Sequence, residues 1–232
     1  MYYGFKINGK HSFKDFGLRI ISREFNPPNK RKIKVTVPFM NGAYDFSTLF
    51  GDQIYEERII KYTLDLKYRN KIEFASKKIQ ITEWLMDGNK KSLYDDLIPE
   101  YYFSAECENG VVFNEYSTGC EIEVEFTAEP FKIGVNYVGD DIWDTFNFLE
   151  DTVQANTFNV VGTKTINLHN VGRPTVPTVN TSTNMSLVCN TKTYNLVAGD
   201  NKFYDLKLKN GDNSIIINGT GTVKILFRKV AL

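Results

Sequence analysis

Little in this 232-residue chain points to reaction chemistry. There are only two histidines, His11 and His169, far apart in the sequence. Neither neighbours a nucleophile motif, and no GxSxG, HExxH or Walker sequence occurs. Gly4, Gly9 and Gly17 are too widely spaced for a phosphate-binding loop. Cysteine is scarce too: Cys107, Cys120 and Cys189 lie far apart with no CxxC pair. An odd count without metal-ligand spacing speaks against a disulfide framework or a zinc module and suggests a reducing compartment and three buried or idle thiols. No apolar run approaches the ~18 residues of a membrane span, and the opening MYYGFKINGK lacks the apolar segment of a signal peptide. The expectation is a soluble protein made in the cytoplasm, with no membrane insertion. Net charge is +0, so the whole molecule has no drive toward DNA or anionic lipid. No catalytic, cofactor or metal residue is assigned, and the chain is not expected to be an enzyme.

What the sequence does have is strand-like alternation. Ile59, Tyr62, Leu64 and Leu66 fall within RIIKYTLDLKY; Ile122, Val124 and Phe126 alternate with Glu121, Glu123 and Glu125. Turn pairs recur at Asn41-Gly42, Asn109-Gly110, Gly199-Asp200 and Asn210-Gly211. One stretch reads as helix, because Ile81, Trp84 and Leu85 recur at helical spacing before a Gly88-Asn89 stop. The fold class is therefore all-β with one helix. Near residue 130 the composition shifts from charged and aromatic to Asn-, Thr- and Val-rich. This predicts one domain over 1–134 and a small β-sandwich over 135–232, with a linker or crossing near 135–155. Gly-Asp-Asn occurs at 199–201 and at 211–213, too short a repeat to establish duplication.

The balanced charge hides an asymmetry. Residues 1–37 carry a net +7, and residues 95–151 a net −14. Opposite charge on two parts of one chain suits head-to-tail self-association, unless folding simply mixes it over the surface. Period two places Glu121, Glu123 and Glu125 on one strand face, with neighbours about 7 Å apart. Such a row does not straddle a glycosidic bond as a catalytic pair must, so it reads as a solvent-facing or subunit-facing strand. Tyr101, Tyr102 and Phe103 read as packing residues, and the basic run Lys30-Arg31-Lys32 with Lys34 as an edge-strand guard.

The segment VPFMNGAYDFSTLFGD at 37–52 is unusual. Ile33, Val35 and Val37 alternate with Lys32, Lys34 and Thr36 until Pro38 stops the strand. Asn41-Gly42 then turns the chain, and Asp45-Phe46-Ser47 begins a returning strand. Its aromatics, Phe39, Tyr44, Phe46 and Phe50, are expected either to pack in the chain's own sandwich or to sit at a subunit seam.

The ordered set of features resembles the distal tail protein family (Dit) of long-tailed phages with Gram-positive hosts. GFKINGKHSFKDFGLRI resembles the family's opening strand. VPFMNGAYDFSTLFGDQIYEERIIKYTLDL is similar to its most recognisable segment, with Pro38, Gly42, Asp45, Tyr55 and Arg58 at motif positions. EWLMDG, IPEYYFSAEC and EVEFTAEPFKIG resemble the helix end, a following strand and the closing strand with its Pro130-Phe131 step. The resemblance covers about residues 1–134; HNVGRPTVPTVN and LKNGDNSIIINGTGTVKILF match more loosely. It implies a β-sandwich "belt" domain with an extended hairpin, followed by a galectin-like or carbohydrate-module-like sandwich. It also implies a homo-hexameric ring around a DNA channel at the virion's tail tip, without sequence-specific contact to nucleic acid. The implied partners are the tail tube protein and the tail-tip or tail-associated lysin protein, with receptor-binding proteins in large baseplates. Pro38, Gly42, Asp45, Tyr55, Arg58, Glu121, Glu123 and Glu125 are the assembly candidates. The other function considered is a carbohydrate-binding module that recognises host cell-wall polymer.

Overall fold

A computed structural model describes residues 3–49, 51–139 and 154–232. The chain divides into two compact units, residues 1–132 with Leu232 and residues 133–231. The first unit contains β1 (Phe5–Ile7), β2 (Lys10–His11), α1 (Ser12–Phe16), β3 (Arg19–Phe25), β4 (Lys34–Val35), β5 (Tyr44–Asp45) and β6 (Arg58–Leu66). It continues with α2 (Lys71–Met86), β7 (Lys91–Asp95), β8 (Tyr101–Glu106), β9 (Val112–Tyr116) and β10 (Gly119–Ala128). Its strands run in the order β2-β1-β7-β8-β10-β6-β3, with β9 also on β10. All of these pairs are antiparallel.

The β6–β10 pair sets the register. It runs unbroken from Cys120↔Leu66 to Ala128↔Arg58. Tyr62, Leu64 and Leu66 face inward with Ile122, Val124 and Phe126, while the three glutamates of β10 face out. Ile60, not Ile59, takes the remaining core position of β6, because period two from Tyr62 selects even numbers.

The core is strung on aromatic rings. Phe16 stacks on Trp84 at 4.5 Å, and Trp84 on Phe5 at 5.6 Å. Phe5 meets Tyr62 at 4.5 Å, Tyr62 meets Phe25 at 6.0 Å, and Phe25 meets Phe103 at 5.8 Å. The polar tips are satisfied: Trp84 Nε1 donates to Ile7 O at 2.8 Å, and the Tyr62 hydroxyl donates to Asp95 at 3.0 Å. Asp95 is buried and also receives Arg23 Nε at 3.0 Å, so the interior carboxylate is paired.

Among the described residues two helices are present, where one was expected. Five-residue α1 is too short to show a period; its ends make it. His11 Nδ1 accepts from Phe13 N and Lys14 N, each at 3.1 Å, as an N-cap would, and Gly17 closes the other end. The His11 proton is thereby assigned to Nε2, which lies 3.0 Å from Asp96 Oδ2. Helix α2 starts on Asn70, whose side chain accepts from Glu73 N at 2.8 Å, while the Glu73 carboxylate accepts from Arg69 N at 2.9 Å. It buries Phe74, Ile81, Trp84 and Leu85 on one face.

The second unit contains β11 (Lys132–Tyr137), β12 (Thr157–Asn170), β13 (Thr178–Thr181), β14 (Met185–Cys189), β15 (Lys192–Leu196), β16 (Gly199–Lys202), β17 (Gly211–Leu226) and β18 (Arg228–Ala231). The sequence's linker stretch falls mostly on residues outside the described ones. Strand β17 is the spine. Strand β12 follows one of its edges from Asn170↔Gly211 to Thr157↔Lys224. On the other edge β14 pairs with residues 216–218 and β13 with residues 223–226. Between them the ribbon bends at Gly219 and Gly221, with φ of 144° and 150°. A Cβ at Gly219 would stand 2.7 Å from Met185 Cγ, and one at Gly221 2.5 Å from Ser182 Oγ. One spine thus serves two layers around Val160, Leu168, Leu187, Ile217, Val223 and Ile225.

The repeated Gly-Asp-Asn proves to be one device used twice. Asn201 accepts from Val197 N at 3.0 Å and donates to Val197 O and Gly199 O at 2.8 and 3.0 Å. Asn213 does the same with Lys209 N, Lys209 O and Gly211 O, at 2.8, 2.8 and 2.9 Å. Each buried amide thus completes a tight turn by standing in for a strand partner. All three cysteines are buried free thiols. Burial pushes each thiol's pKa up, that of Cys107 to about 11.

Replacing Asn201 or Asn213 by Ala leaves backbone groups of the turn unpaired and should cost about 2 kcal/mol. Urea unfolding followed by fluorescence checks this: each variant's midpoint should fall while the m-value stays constant.

Candidate functional site

Between β3 and β6 the chain leaves the sheet as an arm, residues 26–57. Phe25↔Ile60 is the last rung of the sheet. Beyond it, Glu56 N donates to Asn29 O and Arg31 N to Ile54 O, both at 2.9 Å, flanking a Lys30↔Tyr55 bridge. Further out, Phe46 N donates to Ile33 O at 2.8 Å, and β4 pairs with β5 through Lys34↔Asp45 and Val35↔Tyr44. Pro27 and Pro28 offer no N–H groups, which ends the β3 ladder and lets the arm depart. The arm is thus a two-stranded ribbon built on alternating residues.

Its register sorts the side chains by face. Lys32, Lys34, Asp45 and Ser47 share one; Ile33, Val35, Tyr44 and Phe46 share the other, with the Tyr44 and Phe46 rings 6.1 Å apart. The apolar face is not covered by its own chain. Ile33, Val35, Val37, Tyr44 and Phe46 are each 40–55% exposed. The expectation that these aromatics pack in the chain's own sandwich therefore fails for Phe39, Tyr44 and Phe46; Phe50 lies outside the described residues. The reason is geometric: the arm has left the sheet before they occur.

At the tip, Met40 N donates to Val37 O at 3.2 Å, closing a turn with Pro38 second and Phe39 third. Phe39 has φ of 66°, the conformation that this position of a type II turn demands and that normally selects Gly or Asn. A bulky residue held there costs of order 1 kcal/mol. The Phe39 ring is fully exposed.

Asp45 clasps the ribbon. One carboxylate oxygen accepts from Lys32 Nζ at 2.8 Å; the other accepts from Ser47 N at 2.9 Å and from the Ser47 hydroxyl. The Ser47 oxygen in turn accepts from Ile33 N at 2.9 Å. Lys32, then Ser47, hold the Asp45 carboxyl well below the usual carboxylate range.

Three residues, Arg58, Lys90 and Tyr55, anchor the arm's neck. Buried Arg58 donates through Nε to Asn26 O at 2.9 Å and through Nη1 to Pro130 O at 3.4 Å; its guanidinium lies 5.2 Å from the Phe103 ring. Desolvation lowers its pKa. Lys90 bonds both Glu57 and, at 2.9 Å, Glu129; these carboxylates raise the lysine's pKa. Tyr55 meets Phe131 edge-on at 5.6 Å.

The structure therefore brings together Pro38 and Gly42 near the tip, Asp45 in the clasp, and Tyr55 and Arg58 at the neck. Glu121, Glu123 and Glu125 stand elsewhere, on the outer face of β10. Glu125 pairs with Lys61 at 2.7 Å, and Glu123 accepts from Asn114 at 3.0 Å. Sequence reasoning missed Ser47, whose signal was the Asp-x-Ser spacing of a side-chain turn, and Lys90, whose partners are distant in the chain. Among the described residues, no group of three or more His, Cys, Asp or Glu could hold a metal ion. The arm offers apolar contact and open strand edges.

A folded-state pKa below the ordinary Asp value stabilises the clasp above that ordinary value, and the contribution disappears as pH falls through the depressed one. The Asp45 carboxyl carbon, followed by NMR, should titrate at lower pH in the folded chain than in a peptide spanning residues 40–49. Lys32→Met should move that midpoint upward.

No protein-family model matches the chain, and no curated protein matches it. Its fold does match a crystal structure of the Dit (gp 19.1) protein of phage SPP1, described as a paradigm of the hub adsorption apparatus in phages infecting Gram-positive bacteria. The TM-score is 0.71 at 12% identity, over 100% of both chains. The whole chain has the fold of a phage distal tail protein.

Proposed function

We propose that the chain is a structural distal tail protein of a long-tailed phage, a hub subunit at the virion's tail tip. In this reading the first unit, about residues 1–134, is the ring-forming belt domain, and six copies close around the DNA channel. One face of the ring joins the tail tube protein and the other the tail-tip or tail-associated lysin protein. The C-terminal domain, about 135–232, is a galectin-like sandwich that can carry receptor-binding proteins. The whole-chain likeness to the SPP1 protein supports the role.

The observation that carries the assembly reading is the arm's bare apolar face. A strand that alternates Lys32, Ile33, Lys34, Val35, Thr36 and Val37 has the pattern of a half-buried strand, yet its own chain covers neither face. Burying one such side chain fully against a neighbour contributes about 1.5–3 kcal/mol. Several on one ribbon, repeated at every seam, suffice to hold a ring. The contact is heterologous, arm to a different surface, which is the type that closes rings.

Light scattering on the purified chain at tens of micromolar should give about six times the 26.6 kDa chain mass. Val37→Asp and Phe46→Ser should yield folded monomers with unchanged circular dichroism. A wild-type monomer, or variants that assemble as the wild type does, would count against the proposal.

A further inference from the structure

A heterologous seam needs a receptor as well as an arm, and the receptor must lie on this same chain. On the outer face of β10 the glutamates form a row, and laying apolar side chains over carboxylates strips them of water without a partner in return. Helix α2 differs. Ile72, Ile79 and Met86 are 82, 61 and 39% exposed and recur every seven residues, opposite the face that buries Trp84. Seven residues are nearly two helical turns, so the three lie along one line about 21 Å long. Ala75, Ser76 and Thr82 stand between them, small enough to leave hollows for a partner's side chains.

Charge gives the line a direction. Toward the N-terminal half of α2 the acid is matched: Lys77 pairs with Glu73 at 3.1 Å, Lys71 takes Glu115 at 2.5 Å, and Lys78 lies over the Phe113 ring. At the C-terminal end, Glu83 and Asp87 have no ion-pair partner among the described residues, and the last turn carries no basic residue. The helix dipole adds negative potential there. On the arm, Lys30, Arg31 and Lys34 likewise lack an ion-pair partner among the described residues, whereas Lys32 is engaged with Asp45. These bases lie toward the neck, and Phe39 marks the tip. From Ile33 to Phe39 the ribbon reaches about 18 Å, close to the length of the α2 line.

We infer that the occupant of the exposed α2 line is the arm of a second copy of this chain. Its apolar face lies along Ile72, Ile79 and Met86, with the basic neck at Lys30 and Arg31 toward Glu83 and Asp87 and Phe39 toward Ile72. This rests on the ring reading above and specifies its seam. The cost of holding Phe39 in a glycine-type conformation is then offset when its ring leaves water.

Directed cross-linking of the full-length chain tests it. The double variant Phe39→Cys with Ile72→Cys, oxidised at tens of micromolar, should give an intermolecular ladder on a non-reducing gel. The three native thiols are buried and supply the background control. Phe39→Cys with Glu123→Cys should give none. Glu83→Lys with Asp87→Lys should lower the ring fraction at least tenfold, and adding Lys30→Glu with Arg31→Glu in the same chain should restore it. Ile79→Asp, at an exposed helix position, should abolish assembly with helicity retained. If Val37→Asp dissolves the ring but Ile79→Asp does not, or if the cross-link forms through Glu123→Cys, the α2 assignment is overturned while the ring reading stands. If the wild-type chain forms no ring, both fall.

Discussion

The arm depends on Arg58. A thirty-residue excursion held only by its own few rungs would swing on the sheet, and a swinging ribbon loses much of its binding energy to ordering. Arg58 prevents this by bonding the carbonyl of Asn26, where the arm leaves, and that of Pro130, past the end of β10. Among the described residues its positive charge has no carboxylate partner; carbonyl dipoles and the Phe103 ring receive it instead. Lysine could not do this, since its single nitrogen cannot reach two carbonyls in the plane of a ring. Through Phe103 the Arg58 anchor joins the aromatic series that reaches Trp84 on α2. The neck of the arm and the helix are therefore set by one continuous core.

Much of the first unit was legible because β6 and β10 obey period two over nine rungs, and Ile81, Trp84 and Leu85 obey the helical one. Helix α1 was not legible: its cap is a histidine, a residue whose capping role appears only when Asp96 fixes its proton. The arm was half legible. Alternation from Lys32 to Val37 announced a strand with one apolar face, but alternation says which residues share a face and not what covers it. Nothing local states that Pro27-Pro28 releases the ribbon before that face can reach the core. Arg58 and Asp45 were picked out by resemblance; their partners at Asn26, Pro130 and Ser47 needed coordinates.

The opposite charges on two sequence segments are partly mixed by folding. Arg23 of β3 pairs with Asp95 across the two segments, and Glu125 is taken by Lys61 from outside them. Three bases on the arm and two acids at the end of α2 are among the charges left without an ion-pair partner among the described residues. Segment charge sums were thus a blunt guide, because a strand presents only every second residue to one surface and pairing cancels much of the rest. The second unit shows the converse. Its composition announced only short strands, yet two buried asparagines and two glycines on a single spine decide where it turns and bends.

The three buried thiols carry a consequence for where such a protein keeps its shape. With their pKa values raised, little thiolate exists at neutral pH, and no cystine cross-link contributes to the fold. Stability rests on packed rings, ladder bonds and asparagine turns, none of which an oxidant or a reductant alters. A change of the surrounding solution from reducing to oxidising would therefore leave this fold unaltered.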